Sequence, residues 1–154
     1  MTQAAVDREL IELAKKSFTG IPDTDDNHTV AAAVRAHAGQ TFVALNVYHF
    51  TGGPCAELAV LGTAAANGVL AGDIATIVAV ARRPGNPFTV LSPCGRCRQV
   101  MLDYNPNVNV IVRDEGGTER TVRVRDLLPF AYIWEDGTTG RREEETDGAL
   151  NSSN

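Results

Sequence analysis

The chain has 154 residues, 44% of them hydrophobic and 21% charged, with a net charge of −5; that is the make-up of one globular domain and excludes wholesale disorder or a collagen-like repeat. Six acidic and two basic residues fall in the last twenty, Glu135 to Asn154, so the body carries only about −1 and lacks the basic surface that nucleic acid wants. No apolar stretch is long enough to span a membrane and the start lacks the pattern of a secretory signal, so a cytoplasmic protein with a small-molecule partner is expected.

Residues 3–18 read as an amphipathic helix with Val6, Leu10, Leu13 and Phe18 on one stripe, ended by Gly20 and Pro22. Thr29–Ala36 and Thr41–Val47 read as a β-hairpin about Ala38-Gly39. Gly52-Gly53-Pro54 breaks the chain, and a helix over 55–67 follows, with Gly68 after its end. Residues 73–81 have the apolar run of a strand covered on both faces. A loop is expected over 82–87 and a short strand over 89–91. A second helix over 94–104 is stopped by Asn105-Pro106. Strands over 108–112 and 121–124 and a helical turn over 126–128 complete the order. Helices between strands in the second half imply parallel crossovers. The expectation is a three-layer α/β/α domain over 1–135 with a mixed sheet of about five strands, followed by a disordered acidic tail over 136–154.

Three cysteines are an odd number and argue for reduced thiols rather than a disulfide framework. All three stand where helices begin: Cys55 after Gly-Gly-Pro, and Cys94 and Cys97 after Ser-Pro. Thiolates at a helix N-terminus face free backbone N–H groups and the positive end of the macrodipole, which lowers their pKa. Two such helix ends brought together across a sheet would offer three soft anionic ligands to a tetrahedral Zn²⁺ and leave one position for water. Glu57, two residues beyond Cys55, could bring a carboxylate to that water without being a ligand. A closed structural site would want a fourth Cys or His. Of the histidines, His28 and His37 suit surface or hydrogen-bonded roles, and His49 is left open.

The pattern Cys55-Ala56-Glu57 with Pro93-Cys94-x-x-Cys97 resembles the zinc-dependent cytidine deaminase superfamily, whose ligand sets include three cysteines. Residues 46–58, 61–66, 91–100, 127–129 and 132–135 bring the likeness close to its blasticidin S deaminase family, over roughly residues 27–135. The resemblance implies one Zn²⁺ per subunit on Cys55, Cys94 and Cys97, Glu57 as the catalytic proton shuttle, and a homotetramer. It implies substrate contacts from Asn46, Tyr48, Ala56, Ser92, Tyr132 and Trp134, the last two being core or interface aromatics otherwise. The small side chains of Ala64-Ala65-Ala66 are compatible with close helix packing between subunits.

Zinc chemistry on this pattern is hydrolytic: Glu57 takes a proton from water, hydroxide attacks C4 of a 4-aminopyrimidine, and ammonia leaves. Three thiolates and one Zn²⁺ leave excess negative charge. Related cytidine deaminases often carry Arg where this chain has Leu58, so Arg96, between two ligand cysteines, is expected to compensate by donating to a thiolate. Tyr48 stands where cytidine deaminases have a glutamate that binds ribose, which points away from ordinary cytidine. Phe88 stands where the blasticidin-type pattern has arginine, with Arg82 and Arg83 further back. Cytidine, deoxycytidine and other aminated heterocycles therefore stay open as substrates, as does a non-catalytic zinc-stabilised binding module.

Overall fold

The computed structural model describes residues 2–83 and 85–133. The expected end of the domain at 135, the tail over 136–154 and Trp134 lie outside the described residues.

Helix α1 (Gln3–Lys16) is capped by Thr2, whose hydroxyl accepts from the Ala5 N–H. Leu10, Ala14 and Phe18, four residues apart, are buried together with Ile11. The stripe is thus centred on Leu10 and Ala14 rather than on Leu13, and Val6 is only partly covered. Strands β1 (Val30–Ala36) and β2 (Thr41–Leu45) form the expected antiparallel hairpin. Helix α2 (Ala56–Ala66) leads to β3 (Ile74–Arg83), then β4 (Asn86–Leu91), helix α3 (Gly95–Tyr104), β5 (Asn109–Arg113) and β6 (Glu119–Arg123). A 3-10 turn over Val124–Leu127 follows.

The sheet runs β2-β1-β3-β5-β6, with β4 paired to β3, so it has six strands. The segment expected as a loop over 82–87 is instead largely strand: β3 continues to Arg83 and β4 begins at Asn86. The turn between them contains Gly85 at φ 69°, a conformation open to a residue without Cβ. The β1–β3 pairing is antiparallel and β3–β5 is parallel, which makes the sheet mixed.

Both faces of the sheet are covered. Ala31, Ala33, Val78, Val80 and Ile111 pack against Leu10, Ile11, Ala14 and Phe18 of the α1 side. Their sequence neighbours Ala32, Val34, Ile77, Ala79, Val110 and Val112 pack on the other face with Val60, Ala64, Cys97 and Met101 of α2 and α3. Successive strand residues point to opposite faces, so a nearly continuous apolar run such as that of β3 up to Ala81 requires a helical layer on each side. No described helix is long and apolar enough to cross a membrane.

Two features of this topology set the site. Helices α2 and α3 share one face of the sheet; α3 begins shortly after β4 ends, and α2 begins after the segment over 46–55 that follows β2. Strands β4 and β5 also divide one flank of β3: β4 pairs with Ala79–Arg83 and β5 with Thr76–Val78. The chain therefore leaves β4 at Leu91, opposite Ala79 in the middle of β3. It is fastened there by Ser92, whose hydroxyl donates to the Arg113 carbonyl (3.0 Å) and accepts from the Arg113 N–H (3.2 Å). Ligands of α/β sheets bind in such places, where neighbouring strands diverge.

On the opposite face, Arg82 ties the end of α1 to β3. Its guanidinium donates to the carbonyls of Ile21 (2.7 Å) and Pro22 (2.9 Å) and lies over the Phe18 ring, which stacks on Phe88. Its ion pair with the exposed Asp23 adds little. Arg82→Ala is expected to lower unfolding free energy in urea by about 2 kcal/mol, from two charge-assisted hydrogen bonds and a cation–π contact. Asp23→Ala is expected to change it by less than about 0.5 kcal/mol.

Candidate metal centre and active site

Cys55 and Cys94 are the N-cap residues of α2 and α3, both in extended backbone conformation, and neither uses its side chain to cap its helix. Their sulfurs are thus free to point ahead of the helix axes. Cys97 lies one turn into α3. The three Sγ atoms fall within 4.8 Å of one another, and Cys55 and Cys94 approach to 3.8 Å. That distance is far beyond a disulfide bond. It matches the roughly 3.8 Å edge of a tetrahedron whose Zn–S bonds are about 2.3 Å. The donor set therefore fits zinc in number, softness and spacing. Cys97 is fully buried, Cys55 half-buried and Cys94 exposed, so the cluster is sealed toward the core and open at Cys94.

The electrostatics explain why such a cluster wants a cation. Burial pushes the Cys97 thiol far up, and the neighbouring Glu57, Cys55 and Cys94 push it further. Burial also raises Cys94, but the Cys97 N–H and the thiols of Cys97 and Cys55 outweigh it, so Cys94 titrates below an ordinary thiol. The helix-end lowering expected for all three is thus seen at Cys94 and reversed at Cys97. Sulfurs this close cannot all be anionic without a positive charge between them.

Glu57 is only 7% exposed although it sits on the first turn of α2. Burial raises its carboxyl above the ordinary range; its own backbone N–H, the Cys97 thiol and the Arg96 charge pull the other way without cancelling the rise. A carboxylate so placed beside a sulfur cluster can both take and return a proton.

Arg96 sits between the two cysteines of α3 and reaches across to the start of α2. Its Nη2 donates to the Gly53 carbonyl at 3.0 Å and approaches Cys55 Sγ at 3.6 Å. The Cys55 contact raises its pKa further.

The residues expected to touch substrate occupy three situations. Asn46 and Tyr48 lie on the segment that follows β2, with Tyr48 66% exposed. Asn46 is already engaged: Oδ1 accepts from the Val30 N–H and Nδ2 donates to the Asn27 carbonyl. Ala56 is fully buried at the first position of α2. The Ser92 hydroxyl is occupied by Arg113 on both sides. Tyr132 is exposed, and its carbonyl accepts from Gln99 of α3. His49 is exposed and turns its Nδ1 to the Thr51 hydroxyl, while His28 faces Asp25. Phe88 is stacked on Phe18, and Arg82 is committed to the Ile21 and Pro22 carbonyls.

Several supporting residues escape a reading by residue type. Gly53 is one: a Cβ there would lie 1.6 Å from the Val47 carbonyl oxygen, so the loop before Cys55 closes only around a glycine. The Gly-Gly-Pro break was the available signal, but it marked a chain break and not a close approach. Arg98 donates to the carbonyls of Pro93 and Leu127, and Gln99 bridges the buried Asp103 and Tyr132. Helix α3 therefore holds both its own entry loop and the C-terminal segment.

No protein-family model matches the chain. It is 35% identical over 133 residues to a blasticidin-S deaminase of Bacillus cereus, with 82% of this chain and 91% of that one covered. A crystal structure of cytidine deaminase from Burkholderia pseudomallei superposes with a TM-score of 0.65 at 33% identity, covering 86% of this chain and 100% of that one. A cytidine deaminase from Mycobacterium tuberculosis superposes with a TM-score of 0.62 at 26% identity, covering 82% and 97% respectively. The chain belongs to the blasticidin-S deaminase family, hydrolytic deaminases within the cytidine deaminase superfamily.

Gly53→Ala is expected to cost about 3 kcal/mol or more in urea unfolding, because a backbone oxygen blocks the new methyl. Gly52→Ala, with open space but φ at 96°, is expected to cost only about 1–2 kcal/mol.

Proposed function

We propose that the chain is a zinc-dependent deaminase that converts a 4-aminopyrimidine, cytosine-type nucleoside to its 4-oxo form with release of ammonia. The observation that carries this reading is the convergence of three cysteine sulfurs beside one buried carboxylate at the starts of two helices. The kinship with blasticidin-S and cytidine deaminases supports it.

Cys55, Cys94 and Cys97 would hold one Zn²⁺ per chain. When bound, zinc supplies Lewis acidity that makes water a competent nucleophile near neutral pH. Glu57 accepts the proton of the water attacking C4 and delivers it to ring N3. Glu57 then carries the remaining proton of the C4 hydroxyl to the amine, the C4–N bond breaks, and ammonia leaves while the former water oxygen stays on C4 as the 4-oxo group. Arg96 offsets the negative charge of the sulfur set by donating to Cys55, as the N–H groups of both helix starts do from the other side. Asn46 and Tyr48 on one side and Tyr132 on the C-terminal segment form the walls for the rest of the nucleoside, and Trp134 is a further substrate contact. The Ala56 backbone faces the base at the helix start, and Ser92 sets the course of the loop into Cys94. The domain occupies residues 1–135, with 136–154 an acidic tail, and it works in the cytoplasm.

We also propose a homotetramer. Val47, Tyr48, Phe50, Phe130, Tyr132 and Ile133 are large apolar side chains left 48% exposed or more. They lie on the two segments bonded to the helices that carry the cysteines. On α2, Ala65 and Ala66 are exposed small residues open to close packing, while Ala64 turns to the core. Sedimentation equilibrium is expected to return four times the 16.4 kDa chain mass; a monomer refutes the assembly.

Ammonia release is to be screened over cytidine, deoxycytidine, blasticidin S and aminated triazines and pterins with zinc-loaded protein. Glu57→Gln is expected to reduce turnover by at least about a thousandfold with zinc content unchanged. Cys94→Ala is expected to lose both metal and activity. Wild-type turnover by Glu57→Gln, or no turnover of any member of the panel by the native protein, refutes the reading.

A further inference from the structure

We propose that Asp25 is a positioning residue for substrate: its carboxylate fixes the turn that holds the Asn46–Tyr48 wall in place. The inference rests on the function proposed above and extends it to a residue on a different loop.

The observations form one continuous chain of hydrogen bonds. Asp25 Oδ1 accepts from the backbone N–H groups of Asn27 (2.9 Å) and His28 (2.8 Å). The carboxylate also faces His28 Nδ1 at 3.2 Å, and its own N–H bonds the Pro22 carbonyl. Two N–H groups on one carboxylate oxygen impose a tight Asx-type turn. That turn aims the Asn27 carbonyl at the segment after β2. This single oxygen accepts from the Tyr48 N–H (3.0 Å) and from Asn46 Nδ2 (3.1 Å). Asn46 completes the link by accepting from the Val30 N–H while donating its own N–H to the Val30 carbonyl. The β1–β2 ladder ends at the Ala31–Leu45 pair, so these bonds continue it beyond the last regular pair.

The same segment presses on the site. The Val47 N–H bonds the Pro54 carbonyl, next to Cys55, and the Val47 carbonyl oxygen lies against Gly53. The Gly53 carbonyl in turn is held by Arg96. Residues 46–48 are thus fastened to the zinc-ligand helix on one side and to the Asp25 turn on the other. The cysteine side is set by Pro54, Gly53 and Arg96. The orientation of Asn46 and Tyr48 depends on Asn27, and Asn27 depends on Asp25. A group that places binding contacts remote from the reacting carbon acts on ground state and transition state alike, so its loss raises KM and leaves kcat in place.

The test compares Asp25→Ala with Asp25→Asn in the full-length, zinc-loaded protein. The probe is whichever of cytidine, deoxycytidine, blasticidin S and the aminated triazines and pterins the native protein deaminates fastest. Asp25→Ala is expected to raise KM about tenfold with kcat within about twofold and zinc content unchanged. Asp25→Asn keeps the oxygen acceptor for both N–H groups and is expected to bring KM back to within about twofold of native. A fall in kcat at unchanged KM, loss of zinc in Asp25→Ala, or failure of Asp25→Asn to restore KM overturns the proposal. A native protein that turns over none of these compounds overturns the function reading and this one with it. Native turnover with an unaffected Asp25→Ala overturns this one alone.

Discussion

Three sulfurs held within 4.8 Å of one another are the constraint on which the rest of the architecture turns. Such a group is unfavourable in the absence of a cation: burial and mutual repulsion drive the innermost thiol, Cys97, toward the neutral form, while the exposed Cys94 is eased toward ionisation. The fold imposes this crowding by starting two helices on one face of the sheet at nearly the same point. Each start is rigid because a proline precedes the cysteine and the cysteine is itself the cap residue. The arginine between Cys94 and Cys97 then joins the two starts through Gly53 and Cys55. Charge compensation and helix placement are performed by the same side chain.

Much of this was legible from sequence because the signals are local. Cysteines after Gly-Gly-Pro and Ser-Pro announce helix starts, and a nearly continuous apolar run such as Ile74–Ala81 announces a strand with helices above and below. The mixed three-layer sheet follows from the order of the elements. The reading faltered where long-range pairing overrides local composition. Arg82 to Pro87 has the composition of a loop, yet the antiparallel pairing of Ala79–Ala81 with Thr89–Leu91 continues past an irregularity to an Arg83–Asn86 pair, which extends β3 and β4 into it. On α1, Leu10 and Phe18 of the expected stripe are buried, but Ile11 and Ala14 are covered in place of Val6 and Leu13, because the side chains are similarly apolar and only the sheet decides which of them it covers.

The supporting framework of the site was the least legible part. Asn46 and Ser92 have the residue types of ligand contacts, and both spend most of their hydrogen-bonding capacity on backbone. Gln99 carries no motif of its own, but its amide donates both to the buried Asp103 carboxylate and to the Tyr132 carbonyl 33 residues away. Such roles depend on partners remote in the chain, and no periodicity or spacing encodes them. The aromatic and arginine positions show the reverse: Phe88 and Arg82, which invite a substrate-recognition reading, are absorbed in fastening α1 to the far face of the sheet.

The division of one flank of β3 between β4 and β5 has an evolutionary corollary. The hairpin around Gly85 lies at the far end of β4 from Cys94, so extra residues there would lengthen that arm of the sheet and leave the helix that begins at Cys94 undisturbed. The inner end has no such freedom. A slip of one position between β4 and its partner would invert which residues face the core and pull Ser92 off its double anchor on Arg113. Length variation among relatives of this chain should therefore gather at the tip of that arm and vanish at its root.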